Sequence, residues 1–172
     1  MIYFVTTSLL TDTVPISGNV DVNDYLPLIK YSADSYVRNY LGTYFYTELL
    51  TKYNNQTLNA DEITLVELYI QSSVAWRTLA ESVLSVSFQL KNKGLQTQNG
   101  DFSTSPDFKT IAFISHQYKD KADFYDNRLR VYLTDNKDLY PEFISNLNTD
   151  SILKPFDCDY DNTSFQSGII FI

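Results

Sequence analysis

Residues Asp61–Lys93 read DEITLVELYIQSSVAWRTLAESVLSVSFQLKNK. The stretch holds neither proline nor glycine, so nothing in it obliges a helix to break. Leu65, Leu68, Tyr69, Ser72, Trp76, Leu79, Ala80, Val83 and Leu90 recur largely at steps of three and four, the helical period. Ala75 and Ser82 add small side chains that allow close approach of a neighbour. A helix over the whole stretch spans ~50 Å, a central strut against which other helices lie. The β-branched and serine-rich run Ser82–Phe88 marks where it would end if it ends early.

Working outward, the second long period lies at Asp107–Leu133. Phe108, Ile111, Ser115, Tyr118, Ala122, Tyr125, Leu129 and Tyr132 alternate by three and four throughout, a coiled-coil-like seam. Ser105-Pro106 opens it with a cap and a proline at the first helical position. Lys109, Lys119, Lys121, Asp123, Arg128 and Arg130 fall off the seam. The expected partner is the 61–93 helix, running antiparallel. Between them Gly94–Ser105, GLQTQNGDFSTS, is a break in which Asn99-Gly100 is a strong turn signal. Either a short hairpin or an exposed loop fits.

Upstream, Asp24–Tyr40 is periodic in Leu26, Ile29, Ala33, Tyr36, Val37 and Tyr40, and Leu41-Gly42 ends it, with Gly42 suited to a left-handed cap. Tyr44–Tyr53 is a short helix carrying Phe45, Leu49 and Leu50. Asn54–Ala60 is a polar loop from which Asn59 or Asp61 caps the long helix. Met1–Asn23 reads as an extended arm with a turn at Pro15–Gly18. A short helix is expected at Pro141–Asn146, with Phe143 covering the bundle end. Thr149–Ile172 is an extended tail ending in Ile169-Ile170-Phe171-Ile172. The division is therefore 1–23 arm, 24–148 helical domain and 149–172 tail. The fold class is all-α: a helical bundle built on two long antiparallel helices, with a projecting loop or hairpin and extended ends.

A chain of 172 residues suits one domain with a real core. The one cysteine, Cys158, can form no internal disulfide. No apolar run reaches transmembrane length, so no membrane association is expected. The opening MIYFVTTSLL has no basic residue ahead of its apolar run and does not resemble a signal peptide. A net charge of -8 works against non-specific attachment to DNA or acidic lipid. Fourteen tyrosines and eleven phenylalanines are a large aromatic load for this length, suited to covering partners as well as filling a core.

Chemistry is hard to place. His116 is the sole histidine, on the flank of the seam, so a histidine-based metal site cannot be built from one chain. Asp157, Asp159, Asp161 and Asn162 resemble half of a calcium loop. The sixth and twelfth positions are Asn162 and Gly168, where such a loop needs glycine and glutamate. Glu62, Glu67 and Glu81 form no Glu-x-x-His pair. Acidic neighbours oppose a nucleophilic role for Cys158. Lys91 and Lys93 suit the C-terminal end of a helix. No catalytic, cofactor or metal residue is assigned, and an enzyme is not expected. The candidates for contact with other subunits are Phe4, Tyr44, Tyr46, Phe102, Phe165, Ile169, Ile170, Phe171 and Ile172.

The run IKYSADSYVRNYLGTYFYTELL, Ile29–Leu50, with Leu41-Gly42 followed by Tyr46–Leu50 (YTELL) and then the break KNKGL at Lys91–Leu95, resembles the head-to-tail connector, or adaptor, proteins of tailed bacteriophages. The closest flavour is the type carried by phages of Bacteroidetes, including the crAss-like group. The likeness covers roughly residues 22–148. It implies an α-helical neck subunit, usually in a ring of twelve copies, that stacks beneath the portal protein and meets the next tail or ring protein. DNA would pass its lumen without sequence-specific binding during genome packaging and ejection. The implied location is the virion, with assembly in the host cytoplasm. The alternative is a small helical interaction protein, an assembly chaperone or regulator, without ring formation.

Overall fold

The computed structural model describes residues 2–16, 22–91, 94–97 and 108–143. The described chain is predominantly helical. Helix α1 is Thr7–Thr13. After a 3₁₀ turn at Val22–Tyr25, α2 runs through Leu26–Ser32, a π turn at Ala33–Val37, and Arg38–Leu41. Helix α3 is Thr43–Asn55. Helix α4 joins Ala60–Leu65, a second π turn at Val66–Ile70, and Gln71–Ser87. A two-stranded antiparallel hairpin follows, β1 Phe88–Lys91 and β2 Gly94–Thr97. Helix α5 is Phe108–Asp135, then a 3₁₀ turn at Lys137–Leu139; residues 141–143 are helical again.

Local chemistry accounts for the boundaries. Asn59, not Asp61, caps α4. Its side chain accepts from the Glu62 amide, and the Glu62 carboxylate accepts from the Asn59 amide, both at 2.8 Å. That reciprocal box satisfies two backbone donors which the helix start leaves orphaned. Glu62 is buried, and Lys52 of α3 reaches it at 2.7 Å, tying the two helices together. Gly42 separates α2 from α3 at φ 77°, ψ 156°. This is a positive-φ conformation that only glycine adopts cheaply, but it is not the left-handed helical cap expected there.

The arm expected at Met1–Asn23 is instead partly helical and built into the core. The Thr6 hydroxyl caps α1 by accepting from the Leu9 amide at 3.2 Å. Phe4, Val5, Leu10 and Val14 are buried. Phe4 sits at φ 61°, an uncommon state for an aromatic residue. It is held there by its ring packing on Tyr46 and Tyr53 and by its carbonyl, which accepts from Gln71 Nε2 at 3.1 Å. Asn54 exchanges two hydrogen bonds with the Ile2 backbone, at 2.8 and 3.0 Å. Burial rather than helix propensity orders this threonine-rich segment.

The 61–93 helix also departs from its expected face and end. The π turn at Val66–Ile70 absorbs one extra residue and re-phases the core stripe. Leu65, Val66, Ile70 and Val74 are buried, whereas Leu68, expected on the stripe, is 58% exposed. The helix stops at Ser87, within the β-branched run. Lys91 therefore lies in β1 rather than at a helix end. The hairpin pairs Phe88 with Thr97 and Lys91 with Gly94, so its strands are joined through residues 92–93. Lys93, Asn99, Gly100, the remainder of the Gly94–Ser105 break and the 149–172 tail lie outside the described residues, as do residues 144–146 of the expected Pro141–Asn146 helix.

Helices α4 and α5 form the principal packing pair. Their facing residues run in opposite order. Tyr140, just beyond α5, reaches Asp61, Tyr132 stacks on Tyr69, Asp126 meets Ser73, and Tyr125 and Tyr118 lie on Trp76. Ile111, Ser115, Ala122, Asp126, Leu129 and Leu133 are the buried stripe of α5. Phe108, expected on the seam, is 68% exposed. Helix α2 packs on α4 from another side. Phe45, Leu49 and Leu50 from α3, with Tyr140 and Phe143, complete the core.

Candidate functional site

Two groups of polar and aromatic residues lie along the α4–α5 contact, one inside it and one along its rim. The inner group centres on Asp126, which occupies a core position of α5. Its carboxylate accepts from the Ser73 hydroxyl, from Arg77 Nη2 and, at 3.3 Å, from the Tyr40 hydroxyl. Arg77 Nη2 also reaches Asp123 at 2.5 Å, and its guanidinium lies 4.1 Å from the Tyr36 ring centroid. The Tyr36 hydroxyl donates to Glu81 at 2.8 Å. Helices α2, α4 and α5 are thus joined through one network.

Burial by itself would lower the Arg77 pKa. The hydrogen bond and charge of Asp126, then those of Asp123, outweigh it and hold the pKa raised. Burial, then the charge of Asp126, pushes the Tyr40 hydroxyl up to about 12. Burial and then the Glu81 hydrogen bond raise Tyr36 in the same direction. Arg77 is therefore held charged and the two phenols neutral. Such a set specifies how helices dock.

The rim is a ladder of rings and cations. Tyr132 stacks on Tyr69 at 4.0 Å and 15°. Arg128 lies 5.5 Å from the Tyr69 ring and 5.8 Å from that of Tyr125. Tyr125 lies parallel to Trp76 at 6.1 Å and 8°. Lys121 lies 5.0 Å from the Trp76 ring and 5.4 Å from that of Tyr118. Trp76 and the four tyrosines are half-buried, while Lys121 and Arg128 are exposed. The order follows from spacing. Tyr118, Lys121, Tyr125, Arg128 and Tyr132 recur at three and four along α5, and Tyr69 and Trp76 are two turns apart on α4. Two open hollows lie on this rim. One of about 450 Å³ is lined by Trp76, Lys121, Phe124 and Tyr125 among others, and one of about 400 Å³ by Tyr69, Arg128, Val131 and Tyr132 among others.

The sequence-derived contact candidates divide. Phe4 and Tyr46 are core residues whose rings meet edge-on at 5.8 Å, so they are corrected from surface to interior. Tyr44 is 61% exposed. Phe102, Phe165, Ile169, Ile170, Phe171 and Ile172 lie outside the described residues. His116 is exposed and lies 3.9 Å from Asp120 on its own helix. Among the described residues no group of three histidine, cysteine, aspartate or glutamate side chains is placed to hold a metal ion, and no helix is long and apolar enough to cross a membrane.

Sequence reasoning passed over Arg77 and Asp126. The signal was available: Asp126 stands four residues after Ala122 and three before Leu129, on the buried stripe itself. Arg77 stands inside the apolar run SVAWRTLA.

No curated protein and no solved structure matches the chain. A family model does match, over residues 37–151, from the C-terminal part of α2 to beyond α5. The chain belongs to that family, the family of unknown function DUF6712.

Proposed function

We propose that this protein is a structural subunit of the neck of a tailed phage, one of several copies in a ring that joins portal to tail and continues the DNA channel. In this reading the two long helices, running antiparallel, are the rigid frame of the subunit. The observation that carries it is the apolar outer surface of α5. Phe113 and Phe124 are 64% and 59% exposed, and Val131 is 50% exposed. Steps of eleven and seven residues are close to three and two turns, so all three lie within ~20° of one helix face. A ring needs two dissimilar surfaces that fit each other. Tyr44, Tyr31 and Leu26, also exposed, lie on α2 and α3 and supply apolar surface on other elements. Recurrent exposed aromatics of this kind mark protein contacts. The acidic net charge suits a channel that DNA passes without sticking.

The test is assembly on a portal. Purified chain mixed with its phage's portal protein is imaged and its mass measured. The expected result is a ring seated on the portal, lost on Phe113→Ser/Phe124→Ser with helicity unchanged. A chain that stays monomeric and never associates with portal overturns the reading.

A further inference from the structure

The rim ladder holds two cations in an unusual setting. Lys121 and Arg128 each lie against two aromatic rings, and among the described residues neither forms an ion pair with a carboxylate. Both are exposed beside the two hollows, whose walls add Phe124 and Val131. A complementary occupant carries carboxylates spaced to meet the two cations and aromatic rings to cover the hollows. Asp120 and Asp135 also line the hollows, so an occupant's carboxylates are confined to Lys121 and Arg128 and its rings must fill the hollows.

The chain itself contains a segment of the required chemistry. Residues Phe156–Asp161 read FDCDYD. In extended conformation Asp157, Asp159 and Asp161 share one side while Phe156, Cys158 and Tyr160 share the other, and Asp157 and Asp161 stand ~13 Å apart. Lys121 and Arg128, two turns apart on α5, are separated by ~10 Å along the axis, a difference their long side chains take up. The path also fits. The chain leaves the described core at Phe143, beside the Tyr132 end of the ladder, where the Tyr140 and Tyr132 hydroxyls are 3.1 Å apart. The connection from residue 143 to residue 156 reaches up to ~45 Å, against ~16 Å along α5 from Tyr132 to Lys121. Tethering in the same chain gives an effective concentration of order millimolar.

We propose that Phe156–Asp161 docks intramolecularly on the α4–α5 rim, its carboxylates on Lys121 and Arg128 and its rings over the hollows. The docked segment covers the apolar rim of its own subunit and sets where the residues after Asp161 emerge. Docking covers part of the α5 face that carries the ring reading, at Phe124 and Val131, and leaves Phe113 to meet a neighbour.

The sole tryptophan of these 172 residues lies in the groove and the sole cysteine lies in the segment, so the chain carries its own probe pair. A fluorescent acceptor is attached to Cys158 and energy transfer from Trp76 is read in dilute solution. Docking predicts that Trp76 loses most of its emission, independently of protein concentration. Lys121→Glu/Arg128→Glu restores the emission, as does Asp157→Lys/Asp161→Lys, which leaves the helical domain untouched. The two pairs combined quench it again. Absent transfer, transfer unchanged by either pair, or transfer that rises with concentration as a second copy would require, each overturns the proposal.

Discussion

The guanidinium of Arg77 and the carboxylate of Asp126 bond to each other between α4 and α5, with both side chains almost wholly buried. An ion pair taken out of water is costly unless its remaining hydrogen-bonding capacity is used. Ser73 and Tyr40 use it on the aspartate; on the arginine, Nη2 makes a second bond to Asp123 and the Tyr36 ring covers the guanidinium, while Nε is buried without a hydrogen-bond partner among the described residues. A one-residue slip between the helices would leave those charges buried and unpartnered. The network therefore defines the α4–α5 register, while the apolar stripe supplies most of the attraction.

Removing one partner strands the other. Asp126→Ala and Arg77→Ala are each expected to lower unfolding free energy by ~3–5 kcal/mol. The volume-matched pair Arg77→Met/Asp126→Leu is expected to cost far less than the sum, because no charge remains buried. Urea melts of the four proteins measure this; additive losses would refute a coupled pair.

Alkaline pH is the second lever. The Tyr40 hydroxyl is pushed up to about 12, chiefly by burial and then by Asp126. Tyr36, Tyr46 and Tyr140 are raised as well, with burial the leading cause in each. The native state therefore holds protons that the unfolded chain releases near pH ~10. Their stabilisation is intact below that pH and is lost as pH rises toward 12. Tyr40 by itself contributes ~3 kcal/mol, at two pKa units. Urea midpoints taken at pH values across this window are expected to fall steadily, and less steeply in Tyr40→Phe. Ionisation of every tyrosine in the ordinary range with helicity retained would contradict this.

The start of α4 offers a third. Asn59→Ala removes one half of the capping box and is expected to cost ~1 kcal/mol. Glu62→Ala removes the other half together with the Lys52 link, and is expected to cost more. Glu62→Gln keeps a side-chain oxygen for the Asn59 amide and is expected to fall between them. Thermal melts rank the three, and equal melting temperatures for Glu62→Ala and wild type would show that the box does not hold the helix.

The order of helices was legible in the sequence because periodicity, breakers and caps act locally. The 3–4 spacing from Ile111 to Leu129, the glycine at position 42 and the asparagine at position 59 act within a few residues of themselves. What tertiary structure alone decided is how the stripe of α4 is phased and what happens at the N-terminus. The π turn at Val66–Ile70 shifts the stripe so that Leu68 faces solvent and Ile70 the core. A residue-by-residue period cannot register an inserted residue that neighbouring helices stabilise. Phe4 accepts an uncommon backbone state because Tyr46 and Tyr53, about fifty positions away, enclose its ring. The positions of Asp126 on the stripe and Arg77 in an apolar run are legible in the sequence, but their pairing is not, since the contact that permits their burial exists only across two helices.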